Sequence, residues 1–140
     1  MAANTSPIFP LTPKSTGLSV VGSSAVTART AITGTTGLTL LFTAGSNGSR
    51  IDTMVVQATG TSLSGLLDFW IYDGTTSRLF YELTITAVTP STTASGFNSV
   101  VNTSNINAGV PITIPSGTSL YCSSQVANQL IGVIVFGGDY

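Results

Sequence analysis

The chain has 140 residues, enough for one domain that buries about two thirds of the surface its unfolded form exposes. Only 6% of the residues are charged, and the net charge of −1 comes with four scattered cations, Lys14, Arg29, Arg50 and Arg78; this excludes an electrostatic footprint for nucleic acid or an acidic membrane. With no His and one Cys, Cys122, the sequence lacks the commonest general base, the usual zinc sets, a Cys–His nucleophile pair and any intrachain disulfide.

Ser and Thr fill 41 positions and supply the polarity that charge does not. A disordered chain of that kind would be poor in apolar residues, yet 42% are hydrophobic. Thr, Val and Ile are stiff at χ1 and suit a pleated sheet, so the expectation is an all-β protein.

In chain order, residues 1–14 contain Pro7, Pro10 and Pro13, which forbid helix and favour an extended path. Ile8, Phe9 and Leu11 are apolar anchors between them, so these residues read as an N-terminal arm held by its own domain or by a neighbour. Residues 15–140 are then the domain. No basic region followed by an apolar one opens the chain, so no signal peptide is expected. No run of eighteen apolar residues suggests a membrane-spanning helix.

Short strands are expected at 18–21 and 26–33, around Gly22-Ser23-Ser24, and at 38–43. Asn47-Gly48 is a turn signal before a longer strand over 49–59. Residues 66–72 and 78–85 read as a hairpin about the Asp73-Gly74 turn. With Tyr72 opposite Arg78, one face carries Leu67, Phe69, Ile71, Leu79, Tyr81, Leu83 and Ile85, and belongs in a core. The other carries Asp68, Trp70, Tyr72, Arg78, Phe80 and Glu82, three aromatics among three charges. Pro90 ends regular pairing, and Phe97, Val100 and Val101 are the next anchors. Residues 102–109 read as an Asn-rich loop, while Pro111 and Pro115 confine 110–115 to an edge. A strand at 119–123 is followed by a faint helical period over 123–130. Residues 130–136 are apolar on both faces and should lie centrally. About nine strands with turns every eight to twelve residues predict a single-domain antiparallel β-sandwich, jelly-roll-like in form.

For chemistry, Asp68 and Glu82 face each other in this register beside Trp70 and Phe80, a crude version of the carboxylate pair of a glycosidase. The alternative is that these acids rim an interface, compensated by Arg78, Arg50 or a neighbouring chain. Asp52, Asp68, Asp73 and Glu82 lack the spacing of a Ca²⁺ loop, and Asp73 reads as a turn residue bonded to its own backbone. Cys122 reads as a small buried side chain. No catalytic, cofactor-binding or metal-binding residue is expected. Trp70, Tyr72 and Phe80 fit burial in the sandwich, a protein contact or a carbohydrate platform, with Arg78 able to stack on Tyr72 or Trp70. The expected contact set is Trp70, Tyr72, Arg78 and Phe80, with Ile8, Phe9 and Leu11 from the arm.

Four motifs go together: Asn4-Thr5-Ser6-Pro7-Ile8-Phe9, Gly48-Ser49-Arg50-Ile51-Asp52, Asp73-Gly74-Thr75-Thr76 followed by Arg78-Leu79, and Phe136-Gly137-Gly138-Asp139-Tyr140. Together they resemble a family of short tailed-bacteriophage proteins regarded as virion components. The resemblance runs nearly end to end, though each motif is short and carries no known chemistry. It implies a structural role, with a capsid decoration (cement) protein that stabilises the head as the leading form. The implied location is the virion, after synthesis in the host cytoplasm. The implied partners are further copies, as a homo-oligomer with a trimer favoured, and the major capsid protein or other virion proteins. Neither nucleic acid nor membrane is an expected partner. Head and tail stay open, so the alternative is a tail- or fibre-associated module that recognises bacterial surface glycan.

Overall fold

Eleven strands form the regular structure in a computed structural model, which describes residues 10–102, 106 and 110–140. They are β1 (Thr12–Ser15), β2 (Ser19–Val20), β3 (Ile32–Thr33), β4 (Thr39–Thr43), β5 (Ser49–Ala58), β6 (Gly65–Tyr72), β7 (Thr76–Ile85), β8 (Asn98–Asn102), β9 (Ile112–Ile114), β10 (Ser119–Ser124) and β11 (Ile131–Asp139). The excess over nine is β1, inside the expected arm, and β8, where the sequence offered only the anchors Val100 and Val101. Sheet I has the order β1-β11-β5-β8, with β2 also on β11 and β9 on β5; sheet II has the order β3-β7-β6-β10-β4. All pairings between named strands are antiparallel.

The period of two puts one face of each sheet into a shared core. Sheet I contributes Ile51, Met54, Val56, Val101, Ile131, Val133 and Val135, and sheet II contributes Leu41, Phe42, Leu67, Phe69, Ile85, Leu120 and Cys122. Each fully buried aliphatic side chain among them stabilises the fold by roughly 1.5–3 kcal/mol. The protein is therefore an all-β sandwich. β11 lies between β1 and β5, as its apolar character on both faces requires, and the Pro-flanked β9 pairs only with the end of β5. At the Asn-Gly turn, Gly48 takes φ 88° and donates to the Gly45 carbonyl at 3.0 Å, a backbone that a side chain would strain.

Three expectations are corrected. Of residues 26–33 only Ile32 and Thr33 are strand. Residues 123–130 hold no helix, because Ser123 and Ser124 finish β10 and a turn follows. The hairpin keeps its expected register from Leu67↔Leu83 to Phe69↔Tyr81, then shifts by one, so that Trp70 faces Leu79 and Tyr72 faces Ser77. Phe80 is the extra residue of this bulge. Its side chain packs on the core, with its ring 6.5 Å from that of Phe69, instead of sharing a face with Trp70.

The boundary drawn at residue 14 falls within β1. Thr12 pairs with Asp139 and Lys14 with Gly137, while Pro13 stands on an edge strand where a missing N–H is tolerated. Ile8 and Phe9 lie outside the described residues, and Leu11 is exposed. On the reading of the arm as an assembly element, removing residues 1–9 should leave the melting temperature unchanged. Removing 1–15 strips β1 from β11 and should lower stability by roughly 2–4 kcal/mol, at about 1 kcal/mol per hydrogen bond lost. Thermal melts followed by circular dichroism check both; equal loss for both truncations would place the fold's dependence upstream of β1.

Candidate functional site

The sequence gathers Trp70, Tyr72, Arg78 and Phe80 on one hairpin face, with burial, a protein contact or a carbohydrate platform left open; the structure disperses them. Trp70 is fully buried, and its indole N–H donates to Ser123 Oγ at 2.9 Å. What covers it is the chain between β2 and β4. Val26 N–H donates to the Ser124 carbonyl on β10, Arg29 pairs with Glu82 on β7, and β3 lies along the far edge of β7. A segment tied at β10 and again beyond β7 must cross β6, which lies between them, over Trp70 and Asp68. It then returns to β4 at the opposite edge, and a side chain at Gly37 would stand 3.0 Å from Val26 Cγ2. This double crossing is a strap over Trp70 and Asp68, both fully buried, so Trp70 offers no contact surface. Tyr72 is half-buried, edge-on to Tyr121 at 5.9 Å, with its hydroxyl donating to the Gly74 carbonyl at 2.7 Å. Arg78 pairs with Asp73 inside the turn instead of stacking on an aromatic ring.

Asp73 accepts from the Thr75 and Thr76 N–H groups at 3.0 and 2.8 Å, as a turn-forming Asp does. Those backbone donors, led by Thr76, and Arg78 hold its carboxyl down at about 2. Asp68 and Glu82 do face each other. Gln125 Nε2 bridges them, donating to Asp68 at 2.9 and 3.1 Å and to Glu82 at 3.2 Å, and the cation beside Glu82 is Arg29, in place of the expected Arg78 or Arg50. Burial pushes the Asp68 carboxyl above its ordinary value, against the Gln125 hydrogen bond. Asp68 is buried while Glu82 stays exposed, so the two carboxyls do not open together into one cleft. Cys122 is buried in the core, and desolvation pushes its thiol up to about 12. Among the described residues, no group of three or more His, Cys, Asp or Glu could hold a metal ion.

A cluster the sequence did not reveal joins the two sheets where β1 approaches β4. Lys14 Nζ donates to the Thr43 carbonyl at 2.7 Å and to Asp139 Oδ2 at 3.3 Å, and lies 4.6 Å from the centre of the Phe42 ring. Ser49 donates to Asp139 while accepting from Gly45 N–H at 2.9 Å. The Ser49 hydroxyl first, then Lys14, holds the Asp139 carboxyl below its ordinary value.

Asp68 and Asp139 therefore have opposite linkage signs. The depressed carboxyl of Asp139 contributes stability above about pH 4 that fades as pH falls through its folded value. Asp139→Asn should cost about 1–2 kcal/mol at pH 7, the worth of a charge-assisted hydrogen bond, and progressively less as pH falls below about 4. The raised carboxyl of Asp68 favours folding at low pH and loses that advantage as pH rises, so Asp68→Asn should match or exceed the native stability at pH 7. Urea unfolding at several pH values separates the two.

An exposed apolar patch that the sequence reading did not single out lies on the outer face of sheet I. Buried Met54 and Val56 turn Val55 outward, buried Val133 and Val135 turn Ile134 outward, and buried Val101 turns Val100 outward. The register sets these three side by side as Val100↔Val55↔Ile134. Val100 is 58% and Val20 52% exposed, and Leu18 and Phe136 are exposed nearby. Toward one end, Arg50 Nε stands 2.8 Å from Asp52 Oδ1, so the nearest charges are paired with each other. A hollow of about 310 Å³ lies there, lined by Pro13, Lys14, Ser15, Asp52, Phe136 and Gly137. A soluble sheet normally covers or polarises such a face. The signal was present in the doublets Val55-Val56 and Val100-Val101, since adjacent strand residues point to opposite faces.

No protein-family model, curated protein or solved structure matches this chain.

Proposed function

We propose that this chain is a structural protein of a tailed-bacteriophage particle, a decoration (cement) protein that assembles on the head as a homo-oligomer against the major capsid protein. The observation that carries the reading is the exposed aliphatic face of sheet I on a chain with almost no charge, a surface suited to burial against protein. The strand order lends support. After β3 the chain changes sheets at β4–β5, β5–β6, β7–β8, β9–β10 and β10–β11, which leaves β1-β11-β5-β8 facing β7-β6-β10-β4. This order supports a jelly-roll reading, a form used by viral capsid domains and by lectins, and it enters by analogy of fold. The sequence resemblance points the same way. The role proposed is structural, not catalytic.

Gold-labelled antibody against the chain, viewed on phage particles by electron microscopy, tests the reading. Cement should label the head in many copies; unlabelled particles would overturn it.

The glycan-binding alternative has one observation of its own. An open hollow of about 380 Å³ is lined by Leu79, Phe80, Tyr81 and Glu82, aromatics beside an acid. Label confined to the tail, with binding on an array of bacterial surface glycans, would favour that reading.

A further inference from the structure

We infer that the outer face of sheet I is completed by the same face of a second copy, packed about a two-fold axis. The inference rests on the structural role proposed above and adds the partner and symmetry of its contact surface. β11 has nine residues, about 30 Å of strand, and four strand positions lie side by side. The whole face, in which the polar pairs Thr53–Asn102 and Gln57–Asn98 flank the aliphatic row, is therefore on the order of 600 Å², the lower end of the roughly 600–1,000 Å² that each partner of a stable complex buries.

Charge agrees with that choice. About a two-fold axis a residue near the centre meets its own copy, so a central charge would repel itself. The centre here is Val55 and Ile134, both uncharged, and the ion pair Arg50–Asp52 stands toward one end, neutralised within one chain. Two such antiparallel faces can interdigitate aliphatic side chains about 10 Å apart, as the sheets of a sandwich do. An uncharged centre is compatible with this two-fold pairing, whereas the sequence reading favours a trimer.

The test is self-crosslinking of single cysteine variants of the full chain under mild oxidation. The native thiol of Cys122 is buried and stays out of the reaction. Ile134→Cys, near the axis, should give a disulfide-linked dimer as the main product. Leu40→Cys, exposed on sheet II, should stay uncrosslinked. Light scattering of the unmodified chain should give twice the chain mass. A trimer mass, or Leu40→Cys crosslinking as readily as Ile134→Cys, overturns the pairing. A chain that decorates phage heads while Ile134→Cys stays uncrosslinked also overturns it, yet leaves the structural role intact. A chain that neither self-associates nor binds heads overturns both.

Discussion

Trp70→Ala should cost roughly 3–5 kcal/mol of stability, the range for removing a fully buried large aromatic. At about 3–4 °C of melting temperature per kcal/mol for a chain of this size, that is a fall of roughly 10 °C or more. The mechanism is a cavity beneath the strap, together with the loss of the donor that serves the Ser123 hydroxyl. Trp70→Phe restores most of the volume but not the donor, and should cost about half as much. The variant's folded fraction should assemble as the native chain does, because Trp70 has no exposed surface to lose. Denaturant unfolding and sedimentation on the same samples check both halves. A stable Trp70→Ala chain that fails to assemble would return the hairpin face to the role of contact surface.

Gly137→Ala should be comparably damaging through the opposite fault. A Cβ there would stand 2.0 Å from the Arg50 carbonyl oxygen, 3.1 Å from its carbon and 3.2 Å from Ile51 Cα. All three are backbone atoms of β5, so no rotamer change relieves the clash. The ladder between β11 and β5 already shifts register at this point, with Asp52 as the extra residue. Forcing backbone apart in the centre of a sheet should cost about 3 kcal/mol or more, beyond ordinary overpacking. Gly17→Ala is the matched control, since nothing lies within 4 Å of its Cβ position. Thermal melts of the two variants should differ by 10 °C or so. A Gly137→Ala chain that melts like the native one would show that the bulge can close.

Much of the fold was legible because period-two patterning is a local signal. The apolar doublets, the Asn47-Gly48 and Asp73-Gly74 turns and the two-faced final strand all sit where the patterning puts them. The hairpin register held until Phe80, where core packing turned one aromatic inward, a choice that alternation alone cannot express. The strap was misread for a related reason. Val26 and its neighbours have the composition of a strand, but they join sheet II only at the Ala25–Ser124 bridge and at Ile32–Thr33, and only tertiary placement shows this. That error carried the site with it. Trp70 among charges looks like an exposed anchor only while nothing covers it. The outer face of sheet I was overlooked because Val55, Val100 and Ile134 pass for core residues until the opposite neighbour of each is seen to fill the core. The Lys14–Asp139–Ser49 cluster joins residues distant in sequence and left no local trace.

Sedimentation velocity of the native chain beside a Val20→Arg/Val100→Arg double variant tests most directly which face assembles. Both positions are exposed and turned away from the core, so the variant should melt as the native chain does. The account predicts an assembled native species and a monomeric variant at equal concentration. A variant that assembles as tightly as the native chain, with unchanged melting, would contradict it.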